Sequence, residues 1–109
     1  MAATYKVLGQ VNPAATTATT AYTVPSATET VISTITIANL GAAPATYRIA
    51  VRPNGATLEN KHYIVFDSGV APQSTDTLTI GITLDATDVV TVLASTATMA
   101  FNLFGSEIA

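Results

Sequence analysis

His62 is the only side chain in this sequence suited to proton transfer near neutral pH. A serine hydrolase built on it would need Asp67 or Asp76 to orient the imidazole and a serine as nucleophile. No strained nucleophile turn of the G-x-S-x-G type is present. A lone histidine beside Lys61 at the start of a strand is read as a surface or edge residue. The chain has no cysteine, which excludes disulfides, thiolate metal sites and a thiolate nucleophile. Asp85 and Asp88, in the run Asp-Ala-Thr-Asp, offer two carboxylates to a calcium ion, with Asp67 or Asp76 adding a third. Calcium takes six to eight oxygens, and aspartate favours turns for its own backbone hydrogen bonds. These residues are therefore read as turn formers. The expectation is a protein with no catalytic residue, no metal and no cofactor, and not an enzyme.

Binding chemistry is better represented. Arg48 and Arg52 are two of four cations and stand four apart, on the same face of a strand as Thr46 and Ala50. One reading gives them cross-strand partners such as Glu59 or Asp67. The other makes them an inter-subunit contact, where arginine is enriched and lysine depleted. Tyr5 and Tyr22, in the loosely specified amino-terminal part, are the aromatics expected to face a partner. The expected protein-interface set is Tyr5, Lys6, Tyr22, Arg48 and Arg52. Core packing accounts for most of the remaining aromatics, Tyr47, Tyr63, Phe66, Phe101 and Phe104.

The elements that must hold these residues read as strands. In Thr30–Pro53 a first arm sets Val31, Ile35 and Ile37 against Thr34, Thr36 and Ala38. A second alternates Tyr47, Ile49 and Val51 with Thr46, Arg48, Ala50 and Arg52. The connection between them carries Asn39 and Gly41, which tolerate φ > 0, and Pro44, which fixes φ, as a tight reversal requires. Thr4–Leu8, Ala21–Pro25, Lys61–Phe66, Val89–Ala94 and Thr98–Phe104 are further strands. Thr75–Leu84 is another, with Leu78, Ile80, Ile82 and Leu84 on one face and a bend at Gly81. Asn54-Gly55 is a strong turn signal. About eight short strands at this spacing, with no credible helix, predict an all-β fold, a single antiparallel β-sandwich, immunoglobulin-like or jelly-roll-like. Residues 1–20 are expected to form an extended amino-terminal strand or arm, and 21–109 the sandwich domain.

Composition narrows the partner. Net charge is −3 and only four residues are basic, so nucleic-acid binding is not expected. Charged residues make up 10% of the chain against roughly 25% in ordinary soluble domains. Threonine and alanine together supply more than a third of it. Faces covered this way fit either an exported protein with a neutral surface or a subunit whose faces meet further copies, where charge would carry a desolvation cost. Natural sheets usually guard free edges with Lys or Pro, and few are available here. No signal peptide and no membrane-spanning stretch are read, so synthesis in the cytoplasm is expected.

Taken in order, the motifs Y-K-V-L-G-Q-V, A-Y-T-V-P, V-I-S-T-I-T-I-A-N, Y-R-I-A-V-R-P and K-H-Y-I lead to a closing run. That run is L-D-A-T-D-V-V-T-V-x-A-S-T-A-x-x-x-F-N-L-F-G-S-E-I. The whole resembles the small virion structural proteins of tailed bacteriophages, particularly those of cyanobacterial and marine hosts. The likeness covers nearly the whole chain, and its motifs are strands and turns, not a site. It implies a capsid decoration or cement protein, or a neck, tail or fibre subunit, located in the virion and made in the host cytoplasm. The implied partners are further copies of itself, in trimers on the capsid, and the major capsid protein or another virion protein. The resemblance implies no membrane. The rival of another class is a secreted or displayed recognition module for glycan or host surface, marked by exposed Tyr, Asn and Asp at one end.

Overall fold

The alternating pattern becomes nine strands in a computed structural model, which describes residues 2–109. They are β1 (Ala3–Val11), β2 (Thr19–Thr23), β3 (Glu29–Asn39), β4 (Ala45–Arg52), β5 (Tyr63–Val70), β6 (Ser74–Leu78), β7 (Ile82–Leu84), β8 (Val89–Ala94) and β9 (Met99–Ile108). Pro53–Gly55 and Asn60–His62 are single 3-10 turns. Sheet I runs β1-β9-β3-β6, with β7 also on β3, and sheet II runs β2-β8-β4-β5. Every strand pairing is antiparallel. The all-β sandwich expected from periodicity is the fold observed.

Strand order resolves the two sandwich types. β6 and β7 occupy successive stretches of one edge of β3, opposite β9, and act as one interrupted strand. The pairings β1·β9, β2·β8, β3·β6/β7 and β4·β5 then nest around the β4–β5 connection. A long antiparallel ribbon has been rolled into two sheets, which is the jelly-roll arrangement. An immunoglobulin-type sandwich pairs its first two strands in one sheet, whereas β1 and β2 lie in opposite sheets.

The core sits between the sheets. Ile35 and Ile37 of β3, Tyr47 and Ile49 of β4, Val90 and Val92 of β8, and Met99, Phe101 and Leu103 of β9 are all buried there. Tyr47 meets Phe101 edge to face at 6.0 Å between centroids.

Several expectations are corrected, the first by a bulge. Between Ile32 and Thr34 the β3–β9 register slips, leaving Ser33 as an extra residue. One extra residue inverts the side-chain parity, so Ile32 joins Ile35 and Ile37 inside and Val31 turns outward. Residues 79–81 leave the sheet, Gly81 takes φ +62°, and Ile80 is 55% exposed and separated from the face of Leu78 and Ile82. Neither Asn39 nor Gly41 has positive φ. Asn39 ends β3 with its side chain buried, and that side chain organises the turn. Asn54 and Gly55 do take successive positive φ values, 53° and 66°. Gly105, just past the expected strand Thr98–Phe104, lies inside β9. The segment expected as an arm is extended but built in: β1 pairs with β9 from Ala3 to Val11, and the division at residue 20 cuts through β2.

Candidate protein-contact surfaces

Residues directly opposite in an antiparallel ladder share a face, so the pairing register defines the outer face of sheet I. Its rows read Tyr5–Ser106–Val31–Thr83, Val7–Phe104–Thr34 and Gln10–Asn102–Thr36–Thr77, then Ala100–Ala38–Thr75. Glu29, at the rim, is the one charged residue that this register places outward among the described residues. Tyr5 is 85% exposed and Val7 is also exposed, while Phe104 and Val31 are half-buried. Tyr5, Val31, Phe104 and Ser106 line a shallow groove of about 460 Å³ across β1, β9 and β3. Phe104 follows inward Leu103, so its outward placement was readable from parity alone.

On the inner side of the same strands Lys6 donates to Glu107 at 2.9 Å. Glu107 also accepts from the Tyr22 hydroxyl, which is 2.9 Å from Thr30 Oγ1. Tyr22, expected to face a partner, is thus corrected: it is 8% exposed and packs in the core. Lys6 and Tyr22 do converge, but on a carboxylate within the fold. A second sheet-spanning pair, Tyr47 hydroxyl to Asp76 at 2.8 Å, lies toward the other end of β3. Burial, reinforced by the carboxylate each hydroxyl donates to, pushes Tyr22 and Tyr47 up to about 12. The bonds from Tyr22 and Lys6 hold Glu107 below the usual carboxylate range.

These shifts set two pH limits. A raised tyrosine pKa contributes stability that is complete below the ordinary value near 10 and lost as pH rises through about 12. A depressed Glu107 contributes stability present above its ordinary value near 4.5 and lost as pH falls through its folded value. Urea midpoints are expected to fall between about pH 10 and 12, with a shallower fall in Tyr22→Phe. Midpoints flat across that range would contradict the tyrosine assignment.

The outer face of sheet II is different in kind. Arg48 makes a two-pronged pair with Asp67, Nε at 2.7 Å and Nη2 at 3.2 Å. This lowers the Asp67 carboxyl and raises the guanidinium. The guanidinium carbon lies 4.0 Å from the centroid of the Phe66 ring, and Phe66 meets Tyr63 edge to face at 5.1 Å. Phe66 is 57% exposed, not core as expected, because β5 is irregular: its register with β4 slips twice and Asp67 takes φ +54°. Nothing local in the sequence signals those slips. Asn60, Tyr63 and Phe66 line a cleft of about 370 Å³.

Arg52 is not grouped with Arg48. Its Nε donates to Thr91 Oγ1 at 3.1 Å and its Nη1 to the carbonyls of Ala56 and Gly55 at 2.9 and 3.4 Å. Its donors thereby pin the first 3-10 turn against β4 and β8. His62 is buried at 6% exposure, contrary to a surface placement. Its Nδ1 accepts from the Glu59 N–H at 2.9 Å, closing the second 3-10 turn. Asp88 accepts from the backbone N–H groups of Asn54 and Asp85, at 2.8 and 2.9 Å, and joins two loops. Both residues have structural duties. No protein-family model matches the chain, and no curated protein or solved structure matches it.

Proposed function

We propose that the protein is a structural component of a tailed-phage virion, a decoration or cement protein that holds the capsid shell through the outer face of sheet I. The observation that carries this reading is the absence of charge from the body of that face, four strands wide, among the described residues. Threonine, alanine and a few large apolar groups desolvate cheaply, whereas charge at a contact centre is costly unless paired. The chain exposes 5539 Å², close to the roughly 5,700 Å² of a folded monomer of its mass. It therefore binds as a preformed unit. A protein that binds the assembled lattice better than free subunits shifts the equilibrium toward the shell. Jelly rolls recur in capsid and lectin domains, an analogy that agrees with the reading without deciding it. The partners in this reading are further copies and the major capsid protein, or another virion protein for a neck, tail or fibre subunit.

Quantification in purified virions tests it. A copy number on the order of hundreds supports a shell location, about a dozen or fewer a neck, tail or fibre location, and absence from virions rejects the reading. Thr36→Lys places a charge in the middle of the face. It is expected to change stability by less than ~0.5 kcal/mol and to abolish incorporation.

The Asn60–Tyr63–Phe66 cleft, with Arg48 beside it, favours a second reading as a glycan or host-surface recognition module. Under that reading Phe66→Ala abolishes glycan binding in a titration and Thr36→Lys does not affect it.

A further inference from the structure

The sandwich has four exposed edges, β1 and β6/β7 in sheet I, and β2 and β5 in sheet II. An open edge strand is a template for pairing unless it is broken, bulged, shortened or charged. Three of these edges are interrupted. β6/β7 is broken at residues 79–81. β5 slips register twice and carries Asp67 at positive φ. β2 is five residues long and contains a register shift. β1 differs: from Ala3 to Val7 its register with β9 is continuous, and all five residues are exposed. It contains no proline, and its single charge, Lys6, is drawn back to Glu107.

The backbone of this stretch is aimed outward in a definite pattern. Ala2 and Ala109 exchange both backbone bonds, at 3.2 Å each. Alternation along an antiparallel ladder then makes Thr4–Glu107 and Lys6–Gly105 the next bonded pairs. The N–H and C=O groups of Ala3, Tyr5 and Val7 accordingly point away from β9. Beyond Val7 the edge closes, with a register shift at Leu8 and Gly9 packed on the backbone of Ala21 in β2.

We infer that two copies of this chain pair through β1, antiparallel and centred on Tyr5, so that two copies of sheet I become one continuous sheet. Centring on Tyr5 uses all three outward-facing residues. Tyr5 exchanges both bonds with Tyr5 of the second copy, and Ala3 does so with Val7 in each direction, about six hydrogen bonds in all. Lys6 then stands opposite Thr4, so no like charges face each other. The two Tyr5 rings lie side by side on the outer face and extend its uncharged surface across the twofold axis. A five-residue edge is small against the roughly 1,200–2,000 Å² of a stable interface. The pair therefore exchanges rapidly in solution and is tightened when both copies are held on one lattice. The inference rests on the geometry of the β1 edge and does not depend on the virion reading.

A disulfide trap reads the register directly, because the chain has no cysteine of its own. In a bonded antiparallel pair the Cα atoms lie about 5.5 Å apart, inside the ~4.4–6.8 Å range a disulfide spans. Tyr5→Cys is expected to cross-link under mild oxidation at least about tenfold faster than Thr4→Cys, which is offset by two residues, or Phe66→Cys, which is exposed elsewhere. Tyr5→Pro removes an N–H that the β1–β9 ladder does not use. It is expected to abolish the concentration-dependent dimer seen by sedimentation, with its thermal midpoint within a few degrees of the parent. Equal cross-linking of all three cysteine variants, or a protein monomeric at every concentration up to about millimolar, overturns the inference.

Discussion

Replacing Gly105 with alanine is expected to destabilise the protein by about 3 kcal/mol, a large share of the ~5–15 kcal/mol of an ordinary domain. Gly105 lies in β9 opposite Ile32, beside the Ser33 bulge of β3. A Cβ there would run into the carbonyl oxygen of Val31, and would sit 3.0 Å from both Val31 C and Ile32 Cα. All three obstacles are backbone atoms of a central strand, so no side-chain rotation relieves them. The clash must instead open the β3–β9 ladder, which also positions Glu107 for Tyr22 and Lys6. Gly69→Ala is the matched control. No heavy atom lies within 4 Å of its added methyl and its φ is not positive, so a change within ~1 kcal/mol is expected there. Urea titrations of the two variants side by side decide the matter: similar midpoints would show that the strands can separate at little cost.

Asn39→Leu is expected to cost ~3–4 kcal/mol, through lost bonds and newly orphaned buried groups. Asn39 is 2% exposed and ends β3. Its Nδ2 donates to the carbonyls of Ala43, Val70 and Ala71 at 2.9, 3.3 and 3.4 Å. Its Oδ1 accepts from the Gly41 N–H at 3.0 Å and from Thr98 Oγ1 at 3.1 Å. One side chain thus ties the β3–β4 turn to the end of β5 and to the approach of β9. The N39D variant separates polarity from shape. A carboxylate cannot donate to three carbonyls, and their dipoles raise its pKa in the folded state. Its stability is therefore expected to be higher near pH 4 than near pH 7, lost as pH rises through the folded pKa. A variant as stable as the parent at pH 7 would show that the carbonyls find other donors.

Asn39 was visible in the sequence as a turn former, and Gly105 as the residue just past the strand Thr98–Phe104. Asn39 and Gly105 matter through what packs on them, not through local φ. The same distinction runs through the candidate contact surfaces. The sequence determined the strands whose pattern is uninterrupted: Tyr47, Ile49 and Val51 inward against Arg48 and Arg52, and Met99, Phe101 and Leu103 inward in β9. It also determined the scarcity of charge, because composition does not depend on folding. Local alternation reports a face only until a bulge intervenes, and a bulge is selected by the facing strand, tens of residues away. For that reason Val31 and Ile32 were exchanged and Phe66 was read as buried; Ile80 left the sheet at Gly81, and Tyr22 and His62, read as exposed, are buried. The long-range ladders decided that the sandwich is a jelly roll and gathered the uncharged positions onto one face of sheet I. They also separated Arg48 from Arg52 and left Ala3–Val7 of β1 as a continuous, fully exposed edge. Each of these is a property of strand pairs distant in sequence, and only the closed sheets bring the pairs together.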